Sequence, residues 1–145
     1  MSKVIFTNSD GTVSIMTPIE GTAEECAKRD LPDGTSYEIV DESVIPTDRS
    51  FRNAWKQNSK TIETDMSKAR EIHKTNIREA RVAKFAELDV EFQKALETSS
   101  STTDIVSKKQ ALRDAPADSS IASADTEAKL KAQWNTSILG DSPYS

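Results

Sequence analysis

A long run without helix breakers constrains this chain more than any other feature, because residues 65–98 contain neither Gly nor Pro. Most of these residues are good helix formers, and Thr64 or Asp65 can supply an oxygen that caps the first turn. A helix of this length spans about 50 Å at roughly 1.5 Å per residue, which exceeds a compact domain of this size. The run therefore predicts one long helix that packs against later helices of the chain or against another subunit.

The apolar residues of this run fall on one broad face when successive residues are turned by about 100°. That face contains Met66, Ile77, Ala80, Phe85, Leu88, Phe92, Ala95 and Leu96. The residues that mostly flank or oppose it are Glu71, Lys74, Arg78, Glu79 and Glu87. We expect Ile77, Phe85, Leu88 and Phe92 to contact a partner, in a coiled-coil-like pairing. The stripe is too broad and irregular for a clean heptad, so it predicts no oligomer number.

The first residues predict a small α+β head. Two β-rich runs, residues 4–7 and 12–17, are separated by an Asp10-Gly11 step that permits the positive φ values of a tight hairpin turn. By alternation, Ile5, Val13 and Ile15 are expected to share the packed face.

A helix and a third strand complete the head. Thr22 with Glu25 three residues later has the spacing of a capping box, which predicts a helix over residues 23–29. Residues 37–40 predict a strand. The expected arrangement is ββαβ, and such a small head needs something to dock against because its own core is modest.

The segment that follows is the candidate docking element. Phe51 and Trp55 lie four residues apart, and Arg49 and Arg52 lie three apart, so one helical turn would place both aromatic rings on one face. Residues 1–46 contain three basic and nine acidic residues, so we expect the two guanidinium groups to pair with the acidic head.

The C-terminal third predicts shorter helices over residues 105–114 and 126–134, the first of them stopped by Pro116. We expect them to fold back along the long helix as a helical hairpin, with Trp134 facing a partner. The predicted organisation is a head of residues 1–63 that includes the docking segment, a helical region of residues 64–134, and a tail of residues 135–145.

Catalytic and metal-binding chemistry find no support in the sequence. Cys26 is the only cysteine and His73 the only histidine, and Ile77 stands where a second ligand four residues after His73 would be. Phosphate-binding, dinucleotide-binding and zinc-protease motifs do not occur. We therefore predict a protein that is not an enzyme and uses no cofactor or metal, with His73 solvated or at an interface.

The distribution of charge and hydropathy bears on partners and location. Beyond residue 46 the chain has 16 basic and 15 acidic residues, and the basic residues of the long helix are interleaved with glutamates, which does not favour nucleic-acid binding. No run approaches the roughly 20 apolar residues of a membrane span, and residues 1–6 do not resemble a secretion signal. We expect synthesis in a reducing cytoplasm, with neither nucleic acid nor membrane as partner.

Three runs carry a resemblance to a known group of proteins. They are Asp-Arg-Ser-Phe-Arg-Asn-Ala-Trp at residues 48–55, Asp-Met-Ser-Lys-Ala-Arg-Glu-Ile-His at 65–73, and Lys-Gln-Ala-Leu-Arg-Asp-Ala-Pro at 109–116. Together they resemble small proteins of tailed bacteriophages encoded near tail and tail-fibre genes, over roughly residues 35–134. The resemblance implies a virion or tail-associated role in a protein made in the bacterial host, and it supplies no catalytic residue.

Three functions follow as hypotheses. The first is a structural subunit of the phage tail, collar or fibre, which contacts other virion proteins or copies of itself. The second is an assembly chaperone that masks a tail or fibre surface and is absent from the finished particle. The third is an early inhibitor of a host protein that uses the acidic head as a charge mimic.

Overall fold

The computed structural model describes residues 1–144 and divides the chain into two units, Met1–Ala69 and Arg70–Ser145. The fold is α+β, with small antiparallel strands in the N-terminal unit followed by a long helix and shorter helices, which confirms the predicted class. The boundary between the units falls inside the long helix rather than at residue 63. Residues 135–144, expected as a separate tail, belong to the second unit.

A three-stranded antiparallel sheet forms the centre of the N-terminal unit. Its strands are β1 (Ser2–Thr7), β2 (Val13–Met16) and β3 (Tyr37–Asp41), in the order β2-β1-β3. Val4 and Ile5 are both fully buried although their side chains point to opposite faces, so both faces of the central strand are covered.

The turn between β1 and β2 has the chemistry expected from the sequence. The backbone N–H of Gly11 donates to the carbonyl of Asn8, and the N–H of Asn8 donates to the carbonyl of Thr12. Gly11 has a φ of +86°, a conformation that costs glycine little because it lacks a Cβ.

Helix α1 (Ala23–Asp30) covers one face of the sheet. Its predicted capping box is confirmed: the N–H of Glu25 donates to the Thr22 hydroxyl, and the Glu25 carboxylate accepts from the N–H of Thr22. The buried side of α1 packs against Val4, with Phe6, Met16 and Tyr37 among the half-buried neighbours of this cluster.

The docking segment differs from the predicted helical turn. A short 3₁₀ helix covers Arg52–Ala54, and Trp55 instead begins β4 (Trp55–Asn58), which pairs with β5 (Thr61–Thr64) as a two-stranded hairpin. The hairpin turn places Ser59 at a φ of +52°, which few residues other than glycine adopt. The four-residue spacing of Phe51 and Trp55 therefore does not reflect a continuous helix.

Five helices follow, the first of which is the predicted long one. They are α2 (Met66–Glu97), α3 (Thr103–Asp114), α4 (Ser119–Ser123), α5 (Glu127–Ala132) and α6 (Thr136–Leu139). The Asp65 carboxylate accepts from the N–H of Ser67, so Asp65 acts as the predicted cap. Within residues 1–144, no helix has both the length and the apolar character required to cross a membrane.

The chain after α2 returns along it. Lys109 of α3 forms an ion pair with Asp89 of α2. Arg81 of α2 donates to the carbonyl of Leu112, and Arg70 donates to the carbonyl of Ala124 at 2.8 Å. From residue 109 to residue 124 the returning chain thus contacts α2 progressively closer to the start of that helix. The core of this unit includes Ile77, Leu88, Leu112, Ile121, Leu130 and Leu139.

Candidate functional site

The aromatic pair of the docking segment belongs to the core of the N-terminal unit. Phe51 and Trp55 are fully buried, so neither ring is available as an exposed anchor. The guanidinium carbon of Arg49 lies 5.5 Å from the centroid of the Trp55 ring, a cation–π distance. The indole N–H of Trp55 has no hydrogen-bond acceptor within residues 1–144.

The two arginines do not form the expected ion pairs with the acidic head. Within residues 1–144, neither Arg49 nor Arg52 has a carboxylate oxygen within 4.0 Å. Nearby carboxylates are already engaged, because Asp48 accepts from the backbone and hydroxyl of Ser50, and Glu42 pairs with Lys3. Both arginines instead line a pocket.

That pocket has a volume of about 450 Å³ and gathers three basic side chains. Lys3 joins Arg49 and Arg52 in its lining, although Lys3 is only 8% exposed. The ammonium of Lys3 donates to the Thr17 hydroxyl at 3.1 Å and lies 3.5 Å from the Glu42 carboxylate. The sequence did not single out Lys3. Lys3 lies two residues before the buried Ile5 on β1, so strand alternation places both side chains on the same packed face, and this was the signal that could have identified Lys3.

The proposed partner-contact residues of α2 divide into two groups. Ile77 and Leu88 are buried in the core of their own unit, so the expectation that they face a partner does not fit their environment. Phe85 and Phe92 are half-buried, and each makes a cation–π contact within its own unit. The guanidinium carbon of Arg81 lies 5.8 Å from the centroid of the Phe85 ring, and the Lys109 ammonium lies 5.1 Å from that of Phe92.

Other apolar side chains of α2 do face solvent. Val82 is 67% exposed, Val90 54% and Leu96 55%. Ala86, one turn after Val82 and one turn before Val90, is exposed as well. Val82, Ala86 and Val90 lie at a four-residue spacing and therefore form one exposed apolar row along the helix, whereas Leu96 lies on another side of it.

His73 is fully buried, which corrects the expectation of a solvated or interfacial histidine. The Nε2 atom lies 2.6 Å from the side-chain amide oxygen Oε1 of Gln133, which can only accept, so Nε2 carries the proton. Nδ1 then accepts from the Tyr144 hydroxyl at 2.6 Å, and the Asn76 amide donates to that hydroxyl oxygen at 3.1 Å. Both nitrogens of the neutral ring are satisfied.

Aromatic rings enclose this histidine. Tyr144 stacks on it with centroids 5.6 Å apart, and Trp134 meets it edge-on at 5.9 Å. Trp134 was expected to face a partner but is buried here, and its indole N–H donates to the carbonyl of Gly140. Burial lowers the pKa of His73, with the Gln133 hydrogen bond acting in the opposite direction, and burial raises the pKa of Tyr144. No sequence motif indicated that Tyr144 and Gln133 would meet His73.

Within residues 1–144, no group of three or more His, Cys, Asp or Glu side chains is placed to hold a metal ion. Comparison with protein-family models, with curated proteins and with solved structures finds no match. The resemblance to phage tail-associated proteins therefore rests on the three sequence runs.

Proposed function

We propose that this chain is a non-enzymatic structural protein of a bacteriophage virion, a small subunit of the tail, collar or fibre apparatus that acts through protein–protein assembly. In this proposal the protein is made in the host bacterial cytoplasm and incorporated into the particle. The ββαβ head is a docking module, and a helical hairpin built on α2 contacts other virion proteins or copies of this chain. The resemblance described above supplies the phage context.

The observation that carries the assembly role is the exposed apolar row of α2. Val82, Ala86 and Val90 place apolar surface in water along more than two helical turns. Removing such surface from water is favourable by about 25 cal/mol per Å². An aligned row of this kind is more typical of a contact surface than scattered single residues are. The half-buried rings of Phe85 and Phe92 would extend the contact.

The direct test is mass spectrometry of purified phage particles, with the copy number measured against the major tail protein. A fixed, low copy number is the expected result for a structural subunit. Strong late expression combined with absence from particles would overturn the proposal in favour of an assembly chaperone. Early expression and absence from particles would favour an inhibitor of a host protein.

A second test addresses the apolar row. In a phage that lacks the gene, the Val82→Gln/Val90→Gln variant should enter particles at least about ten-fold less than the wild type, because two contacts at the centre of the surface are lost. Helicity should not fall, since glutamine is at least as good a helix former as valine. The control is Ile19→Gln, which changes a fully exposed side chain of the other unit. Equal incorporation of both variants would exclude this row as the contact.

A further inference from the structure

A pocket rich in basic side chains lies in the N-terminal unit, and of its three cations only Lys3 has an ion-pair partner within residues 1–144. We call it the basic pocket. It is formed by strand residues, by the residues after β3 and by the docking segment. Its lining consists of Lys3, Ile15, Thr17, Glu42, Ile45, Pro46, Thr47, Arg49 and Arg52.

We propose that the basic pocket binds the carboxylate of an acidic side chain in a peptide segment of a partner protein. This inference rests on the proposed function, because it assigns a chemical class to one of the assembly partners. It adds a recognition site that is separate from the apolar row of α2.

The basic pocket has a positive local charge, whereas its unit as a whole is negative. Residues 1–69 contain 8 basic and 12 acidic residues, yet three of those basic residues and only one acidic residue line the pocket. The local formal charge is positive in a unit that is negative as a whole. A single compact anion is therefore attracted, whereas a long polyanion such as a nucleic acid meets repulsion from the rest of the unit.

Donors are available for the anion. The guanidinium groups of Arg49 and Arg52 have no carboxylate partner within residues 1–144, and each presents a planar fork that matches a carboxylate. The Lys3 ammonium has three N–H donors. One is bonded to Thr17, and the ion pair with the exposed Glu42 can exchange for an incoming carboxylate.

Lys3 is held in place before any ligand arrives, whereas Arg49 and Arg52 are exposed. Arg49 packs against the buried ring of Trp55, and Lys3 is enclosed by the sheet and the residues around it. A fixed donor loses less conformational entropy on binding than a mobile surface side chain. The buried, hydrogen-bonded ammonium of Lys3 therefore distinguishes this pocket from a surface that has solvated charges alone.

The apolar part of the lining favours a peptide over a free inorganic anion. Ile15, Ile45 and Pro46 are half-buried and form an apolar wall beside the cations. This wall can contact the methylene groups of a glutamate or an adjacent apolar side chain. A volume of about 450 Å³ has room for one or two side chains.

The test is an NMR titration of the full-length, isotope-labelled protein with an acetylated, amidated peptide of alternating Glu and Leu. Saturable shifts are expected at the side chains of Arg49 and Arg52 and at the indole N–H of Trp55. The same peptide with Gln in place of Glu should bind at least about ten-fold more weakly, because its side chains are neutral. Inorganic phosphate and a single-stranded oligonucleotide are titrated in parallel.

Variants of the protein sharpen this experiment. Arg49→Gln/Arg52→Gln should weaken binding of the acidic peptide by at least about ten-fold, and Lys56→Gln/Lys60→Gln, which removes two exposed charges of the same unit outside the pocket, should not. If the loss of the Arg49 contact with Trp55 disturbs folding, the peptide titration of the single variant Arg52→Gln tests the proposal instead, because Arg52 is exposed.

Failure of the acidic peptide to bind, or equal binding of the Gln peptide, would overturn the proposal. Equal loss of affinity in the lysine control would also overturn it, as would tighter binding of phosphate or of the oligonucleotide. These outcomes are independent of particle composition. If the protein binds the acidic peptide but is absent from virions, the pocket assignment stands and the proposed function is overturned. If the protein is a virion subunit but does not bind the peptide, the proposed function stands and the pocket assignment is overturned.

Discussion

The side chains around His73 form hydrogen bonds that fit the neutral form of its ring. Gln133 accepts from one ring nitrogen and Tyr144 donates to the other, so a second proton on the ring has to displace the Tyr144 proton from Nδ1. Burial acts in the same direction and lowers the pKa of His73 below its ordinary value. Protonation of this single residue is therefore coupled to the packing of the C-terminal residues against α2.

At the residue scale, we predict that stability depends on pH through His73. Because the pKa of His73 is lower in the folded state, the unfolded chain binds the proton first as the pH falls below about 6.5, and stability is lost. The slope should be at most about 1.4 kcal/mol per pH unit. Denaturant titrations followed by tryptophan fluorescence between about pH 7.5 and pH 5.5 measure it.

His73→Gln provides the control, since His73 is the only histidine of the chain. The variant should be less stable at neutral pH by about 1–3 kcal/mol, because buried hydrogen bonds are lost. Its stability should vary little over the same pH range. A variant with the slope of the wild type would contradict the assignment of the pH dependence to this residue.

At the scale of elements, two leucines in neighbouring helices have opposite environments. Leu112 of α3 is 1% exposed, whereas Leu96 near the end of α2 is more than half exposed. Leucine has the same hydrophobicity at both positions, so their contributions to stability differ only through the atoms that surround them.

We predict that Leu112→Ala lowers the free energy of unfolding by about 2–5 kcal/mol, because it leaves a cavity between α3 and the rest of its unit. Leu96→Ala is the matched control and should change stability by no more than about 0.5 kcal/mol. Chemical denaturation followed by far-UV circular dichroism compares the two. Similar losses for both variants would mean that the C-terminal end of α2 is covered in solution.

Local chemistry explains which elements could be predicted. The hairpin of β1 and β2 depends on Gly11, α1 on its capping box, and α2 on an unbroken run of helix formers, and all three signals lie within the element itself. The hairpin of β4 and β5 gave no such signal, because the residue with a positive φ in its turn is Ser59 rather than a glycine. Helix α6 was also missed, since its four residues contain no amphipathic repeat.

At the scale of the whole molecule, acid should act in two stages. Six exposed carboxylates in the two units have lowered pKa values, in each case first through a hydrogen bond from a neighbouring residue. They are Asp10, Glu24, Asp30, Asp41, Asp118 and Asp125. Their contribution to stability is present above their ordinary pKa values and is lost as the pH falls through the lowered ones.

We therefore predict that mild acid weakens the second unit alone, through His73, and that stronger acid below about pH 4 weakens both units. Amide hydrogen exchange measured at about pH 7, 5.5 and 3.5, and corrected for the intrinsic pH dependence of exchange, separates the two stages. Protection should fall first within residues 70–144. Loss of protection in residues 1–69 at the first step would contradict the prediction.

The sequence by itself determined the secondary structure wherever the cause is local, as in the caps, the glycine turn and the length of α2. It also determined the α+β class, since strand and helix patterns occupy successive parts of the chain. Only the tertiary structure decided that His73 is buried while Val82 and Val90 are exposed, and that Lys3, Arg49 and Arg52 share one pocket. The reason is physical: burial depends on which distant segment returns to cover a side chain, and helical or strand periodicity carries no information about that segment.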